Sequence, residues 1–340
     1  MKESSMSKRP VAAIILGAGN QERIYPTSVR RELDALCAVR VEHCSKQQVT
    51  DHAEALSDVQ LLFSGWGPPR LDTATLALMP RLEAVFYGAG SLNQLVCDDF
   101  WQRNVVVCSA WAANAVPVAE FTFAHIVLGL KQAQRLPELQ RQARTRAVPD
   151  GFDRVGAYDN TVAIISLGQI GRRVVELLRH LDVRVLAYDP FCSVEQARQL
   201  GVELVDLETC FRDSRVVSLH TPWLPETEGL ITGELLEQLP PGGVFINTAR
   251  GAVVREDELI ACFQRRPDLS AVLDVTYPEP PAADSPLYDL SNVFLTPHIA
   301  GSVGTECARM GHYMVDECRR FLDGEPLHWQ VSQEAFARMA

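Results

Sequence analysis

A chain of 340 residues with 47% hydrophobic and 22% charged side chains has ordinary globular usage and the length for two cores rather than one. A formal net charge of −11, with basic residues scattered or paired, argues against a nucleic-acid surface. The nine cysteines are odd in number and never spaced C-x-x-C, so they read as small buried hydrophobes of a reduced, cytoplasmic protein without a structural metal.

The first ten residues, MKESSMSKRP, are polar and lack the apolar region of a secretory signal, so a disordered tail is expected. Residues 10–112 follow with an α/β rhythm. Apolar runs VAAIIL, VQLLFSGW, EAVFYGAG and VVVCSA alternate with the helical patterns SVRRELDALCAV and TATLALMPRL. The first run leads to Gly17 and Gly19, which begin a G-x-G-x-x-G dinucleotide turn, and Glu42 stands about where a ribose contact would. Glu22 nevertheless holds the third glycine's place, where a carboxylate faces the pyrophosphate charge. Tyr25-Pro26 then interrupts the helix that should hold the phosphates, so this reads as a plain strand-to-loop turn.

Asn114 is expected to cap a long helix through VPVAEFTFAHIVLGLKQAQRL, with Pro117 in its first turn. Its unbroken apolar run, FTFAHIVLGL, stops at Lys131 after ten residues, short of a membrane span. From residue 162 onward six apolar runs, VAIISL, VRVLAYD, VVSLH, VFINTA, SAVLDV and VFLTPH, alternate with amphipathic helices. Strands without polar alternation, each followed by a helix, predict a parallel sheet covered on both faces, the doubly wound dinucleotide fold. Its first turn, SLGQIG, keeps Gly168 and Gly171, with Ser166 in place of the first glycine. Asp189 ends the next strand 18 residues beyond Gly171, where a ribose diol needs an acceptor. The serine is tolerable there at negative φ, with some loss of cofactor affinity. After residue 298 the chain turns helical again and stops. A Rossmann cofactor domain, 113–301, is therefore expected as an insertion in a smaller, flavodoxin-like α/β substrate domain formed by 1–112 and 302–340.

Three segments sit at the ends of later strands, where ligands bind in open α/β sheets: NTARGAVV, LDVTYPEPP and LTPHIAGS. Together with HTPWLPETEGLI (220–231), these resemble the ordered motifs of the D-isomer-specific 2-hydroxyacid dehydrogenase family, over roughly residues 80–320. The resemblance implies an NAD-dependent oxidoreductase acting on a D-2-hydroxy acid and its 2-keto acid. It gives Arg250 the substrate carboxylate and carbonyl oxygen, makes His298 the general acid/base and makes Glu279 its partner. Gln169 and Ile170 would contact the pyrophosphate, Asp189 the adenosine ribose and Thr221 the adenosine side. Thr248, Ala249 and Asp274 would hold the nicotinamide end. Gly88, Ala89 and Gly90 match the loop whose backbone N–H groups bind the substrate carboxylate, although Leu92 replaces a usual aspartate there. Trp111 either narrows the pocket or belongs to the core.

The chemistry asks for the same residue types. A planar carboxylate suits the guanidinium fork, and the same charge stabilises the oxygen as hydride arrives. Histidine is the side chain poised to deliver a proton near neutral pH. The resemblance further implies a homodimer with a small-molecule substrate and no membrane or nucleic-acid partner. The chain's end soon after the closing helix leaves no expected room for the regulatory domain of many phosphoglycerate dehydrogenases. An alternative stays open: C-terminal binding proteins, transcriptional corepressors, share the fold and the same arginine, glutamate and histidine, yet act by NAD(H)-dependent recruitment of peptides.

Overall fold

The computed structural model describes residues 9–145 and 154–337, so the expected N-terminal tail lies outside it except for its last two residues. The chain forms two compact units, Met1–Asn114 with Ser302–Ala340, and Ala115–Gly301.

The first unit is built on five parallel strands, β1 (Val11–Ile15), β2 (Ala38–Cys44), β3 (Leu61–Ser64), β4 (Ala84–Tyr87) and β5 (Val106–Ser109), in the order β2-β1-β3-β4-β5. β1, β3 and β4 are buried along their whole length, because alternate side chains enter two separate cores. Ala13, Ile15, Leu62 and Val85 face one; Ala12, Ile14, Phe63 and Phe86 face the other. SVRRELDALCAV reads as helix throughout, but the helix ends at Leu36 and β2 begins two residues later. β2 is an edge strand with Arg40 and Glu42 exposed, so it lacks the apolar run that marks the central strands. At the other edge, residues 329–331 run antiparallel to β5, with Ser109 N donating to Trp329 O and Val331 N to Val107 O. Trp111, partly buried, packs edge-on against Trp329 at 5.3 Å and against the core that contains Leu92.

The second unit holds seven parallel strands: β6 (Asn160–Ile165), β7 (Val183–Tyr188), β8 (Glu203–Leu204), β9 (Val216–Leu219), β10 (Val244–Asn247), β11 (Ser270–Leu273) and β12 (Val293–Leu295). Their order, β12-β11-β10-β9-β6-β7-β8, reverses direction between β6 and β9. That is the doubly wound order with one further strand, and its ligand crevice lies where the order reverses. Both faces are covered, one core gathering Ala163, Val217 and Phe245 and the other Val162, Val216 and Val244. β8, two residues long, is the strand that the apolar pattern does not reveal.

The long helix starts at Trp111 rather than after Asn114, so Pro117 lies inside it and deprives the Ala113 carbonyl of its helical donor. Asn114 does not cap it; its Oδ1 accepts from Ser302 N at 2.8 Å. The stretch Trp111–Ala143 has the length and mean hydropathy of a membrane span, which the unbroken run of ten does not reveal. Ala119, Ile126 and Leu130 from this stretch pack into the second unit's core.

Candidate active site

The turn after β6 is shaped to receive an anion. Gly168 is the N-cap of the helix Gln169–Leu178, and no side chain among the described residues caps that end. The amides of Gln169 and Ile170 therefore open its positive end. A Cβ on Gly168 would meet nothing within 4 Å, whereas one on Gly171 would lie 2.2 Å from Ser166 O, so helix and strand pack too closely for any other residue. Asp189 lies directly across the turn. Its Oδ2 accepts from Leu167 N at 2.7 Å and its Oδ1 from Phe191 N at 2.8 Å, which fixes the carboxylate and leaves lone pairs for a diol.

Ser166 overturns one expectation: its φ is +75°, not negative. A Cβ in the left-handed region costs ~1–2 kcal/mol. Its hydroxyl makes a 2.8 Å hydrogen bond with Thr221 Oγ1, across the point where the strand order reverses. Beside Thr221, His220 is buried. Its Nε2 meets Ser218 Oγ at 3.0 Å, its Nδ1 has no partner among the described residues, and burial pushes its pKa down to about 3.

The upstream glycine turn is closed by its own chain. Gly17 N donates to Trp66 O, the following helix has four residues, Gln21–Ile24, and Glu42 is paired with Arg30.

Arg250 follows β10 in extended conformation. Asn247 builds this turn by accepting from Ala249 N and donating to Arg250 O, both at 3.0 Å. Thr248 shares a hydrogen bond with Thr122 at 2.9 Å. The Arg250 guanidinium makes one bond among the described residues, Nη1 to Ala249 O. Burial lowers its pKa and the charge of Glu279 opposes that shift. A desolvated guanidinium with most donors free is a receptor for a carboxylate. Gly251 brings the arginine turn against the glutamate loop, since a Cβ there would sit 2.0 Å from the Thr276 carbonyl carbon.

His298 Nδ1 and Glu279 Oε1 are 2.6 Å apart, and both side chains remain about half exposed, within reach of a ligand. His298 has φ +54°, an uncommon conformation for histidine. Asp274 holds this turn: Oδ1 accepts from Thr296 Oγ1 and Ile299 N, Oδ2 accepts from Ala300 N, and its backbone carbonyl accepts from His298 N. Asp274 is only 1% exposed, and both carboxylate oxygens are spent on the histidine turn while its N–H donates to Asn247 O.

In the first unit, Ala89 and Gly90 follow β4. Gly88 N donates to Ser64 O, but the amides of Ala89 and Gly90 find no acceptor among the described residues, although Ala89 is buried. Asn247, Thr296 and Ser109 escape sequence reasoning as site-building residues. For Asn247 a signal exists, an Asn closing a strand before a turn.

A family model described as D-isomer specific 2-hydroxyacid dehydrogenase, NAD binding domain, matches residues 126–300. The chain belongs to the D-isomer specific 2-hydroxyacid dehydrogenase family. It is 35% identical to a D-3-phosphoglycerate dehydrogenase of Archaeoglobus fulgidus, over 77% of this chain and 50% of that one. It is 34% identical to an (S)-sulfolactate dehydrogenase of Chromohalobacter salexigens, over 81% of this chain and 91% of that one. The chain thus spans about half the length of the phosphoglycerate dehydrogenases that it matches. In fold it is similar to the NAD-complexed D-isomer specific 2-hydroxyacid dehydrogenase of Lactobacillus delbrueckii ssp. bulgaricus, with a TM-score of 0.78 at 20% identity, covering 95% of this chain and 100% of that one. The second unit of this family member is thus an NAD-binding domain by sequence as well as by strand order.

Proposed function

We propose that the protein is an NAD-dependent oxidoreductase that interconverts a D-2-hydroxy acid and its 2-keto acid, acting in the cytoplasm as a homodimer. The observation that carries this reading is the set of three side chains at successive strand ends of an NAD-binding domain. These are the His298–Glu279 pair at 2.6 Å and the Arg250 guanidinium, whose donors are largely unengaged. The cofactor site fits its group: uncapped amides of Gln169 and Ile170 for the pyrophosphate beside Gly168 and Gly171, and the Asp189 carboxylate for the adenosine ribose. Thr221 lines the adenosine side, and Thr248, Ala249 and Asp274 belong to the nicotinamide end.

The reduced nicotinamide, when bound, supplies the hydride. Arg250 grips the acid's carboxylate and stabilises negative charge on the carbonyl oxygen. In the first unit, the amides of Ala89 and Gly90 offer two donors suited to a carboxylate. Glu279 on Nδ1 orients the His298 ring and leaves Nε2 to give the carbonyl oxygen its proton during reduction, or to take it back during oxidation.

The test is NADH oxidation with glyoxylate, hydroxypyruvate, pyruvate and bulkier 2-keto acids, and NAD reduction with 3-phosphoglycerate and sulfolactate, the acids in the relatives' names. Turnover should favour NADH over NADPH by ~10-fold or more, because Asp189 repels a 2′-phosphate. Tight NADH binding without turnover on any acid would turn the reading toward a binding protein.

A further inference from the structure

Leu92, just beyond the loop Gly88–Gly90, is 1% exposed and built into the core, so it gives the loop no polar support. The hydroxyl of Ser109, at the end of β5, lies 2.9 Å from Ala89 O and 2.6 Å from Gly90 O. Ala110 N adds a third bond to Ala89 O, at 3.1 Å. In a trans peptide the carbonyl and the following N–H point in opposite directions. Carbonyls drawn toward β5 therefore turn the amides of Gly90 and Ser91 away from it. One hydroxyl proton shared between two acceptors holds both peptide planes at once.

Ser109 itself has no freedom to swing. It is 0% exposed, and its own N–H donates to Trp329 O. Trp329 N in turn donates to Glu317 Oε2 at 2.9 Å, and the Glu317 carboxylate, 1% exposed, also accepts from His328 N. The buried carboxylate ties the C-terminal segment to the helix Cys307–Asp323, and that segment in turn holds the Ser109 backbone through Trp329 O.

We infer that Ser109 is a positioning residue for the substrate: by holding the Ala89 and Gly90 carbonyls it sets the two peptide planes that follow, so that the amides of Gly90 and Ser91 present a ready anion receptor to the acid's carboxylate. This rests on the proposed role of the loop in carboxylate binding. It also says how a chain with Leu92 keeps that loop in order.

The experiment compares wild type, Ser109→Ala and Ser109→Thr by amide hydrogen exchange over residues 87–92, steady-state kinetics, NADH affinity and thermal midpoint. Ser109→Ala should speed exchange of the loop amides in the absence of any acid. It should raise KM for the keto acid by ~3–10-fold, the worth of one net hydrogen bond, with kcat within about twofold and NADH affinity unchanged. Ser109→Thr, which keeps the hydroxyl, should restore both. Unchanged exchange in Ser109→Ala overturns the hold of Ser109 on the loop, whatever the enzyme's substrate. Faster exchange with an unmoved KM overturns the link to the acid, and with it the loop's part in the proposed function. A loss of kcat and NADH affinity in step with the thermal midpoint, not rescued by threonine, would reduce Ser109 to a general structural role.

Discussion

The two glycine turns stand at equivalent places, each after the buried strand at which its sheet changes direction, yet what surrounds them differs. After β1, Gly17 N is taken by Trp66 O, the Asn20 side chain adds a second bond to the same carbonyl, and the helix ends after four residues. Tyr25, the residue that ends it, is buried with its hydroxyl on Ser64 O and Phe86 O. After β6, the following helix runs for ten residues with no cap, and the carboxylate of Asp189 faces the turn. Glycine spelling is similar in both. What distinguishes the second turn is the long helix aligned behind it and the carboxylate that faces it.

The largest effects should fall on the second unit. His298→Asn should lower keto-acid kcat/KM by ~10²–10⁴-fold, the usual worth of a placed proton donor. Arg250→Lys keeps the charge but cannot make the paired contact, and should lose at least ~10²-fold with NADH binding little changed. Near-normal kinetics in either variant would remove that residue from the site and leave the second turn a cofactor site without chemistry beside it.

The segments flanking the two turns differ as well. After β3 the chain covers its turn with Trp66; after β9 it buries His220, which stays neutral in the fold down to about pH 3. The unfolded chain takes a proton on that ring at about pH 6.5. Between these values the unfolded state binds more protons, so stability falls as pH falls. The loss by pH 5 should be on the order of 2 kcal/mol from this group. Urea unfolding of wild type and His220→Gln at about pH 7.5 and 5 checks it; an equal acid loss in both proteins rules it out.

A direct contrast places one carboxylate at each turn. Gly168→Asp sets a negative charge at the open helix end and should weaken NADH binding by ~10-fold or more, about 1.4 kcal/mol. Gly19→Asp also meets open space, and although its φ of +78° adds strain to the fold, it should leave NADH affinity unchanged. If the upstream variant is the one that loses NADH in a fluorescence titration, the assignment of the two turns is reversed.

The central strands were legible because they are buried on both faces and read as continuous apolar runs; β2 and β8 were not, one polar at the sheet edge and the other only two residues long. The arginine, glutamate and histidine motifs were legible as local strings. Their supports were not, because they join distant segments: Asn114 to Ser302 across 188 positions, and Ser109 to a loop 20 residues back. Asn114 before an apolar helix carries every local mark of a cap, and its actual partner exists only in three dimensions.

The smallest effect concerns the serine that separates the second turn from the full glycine pattern. Ser166 bears a left-handed strain of ~1–2 kcal/mol and gains a hydroxyl bond to Thr221, which at ~0.5–1.5 kcal/mol net is of similar size. Ser166→Gly releases the strain, loses the bond and frees the unfolded chain, so its stability should stay within about 1 kcal/mol of wild type. Ser166→Ala keeps the strain and loses the bond, and should be the least stable of the three by about 1 kcal/mol. Thr221→Val should then cost less in the Ser166→Gly background than alone, since the bond is already gone. Urea unfolding of these variants measures the coupling. An alanine variant as stable as wild type would mean that the hydroxyl pair offsets nothing, and that the turn carries its strain unrelieved.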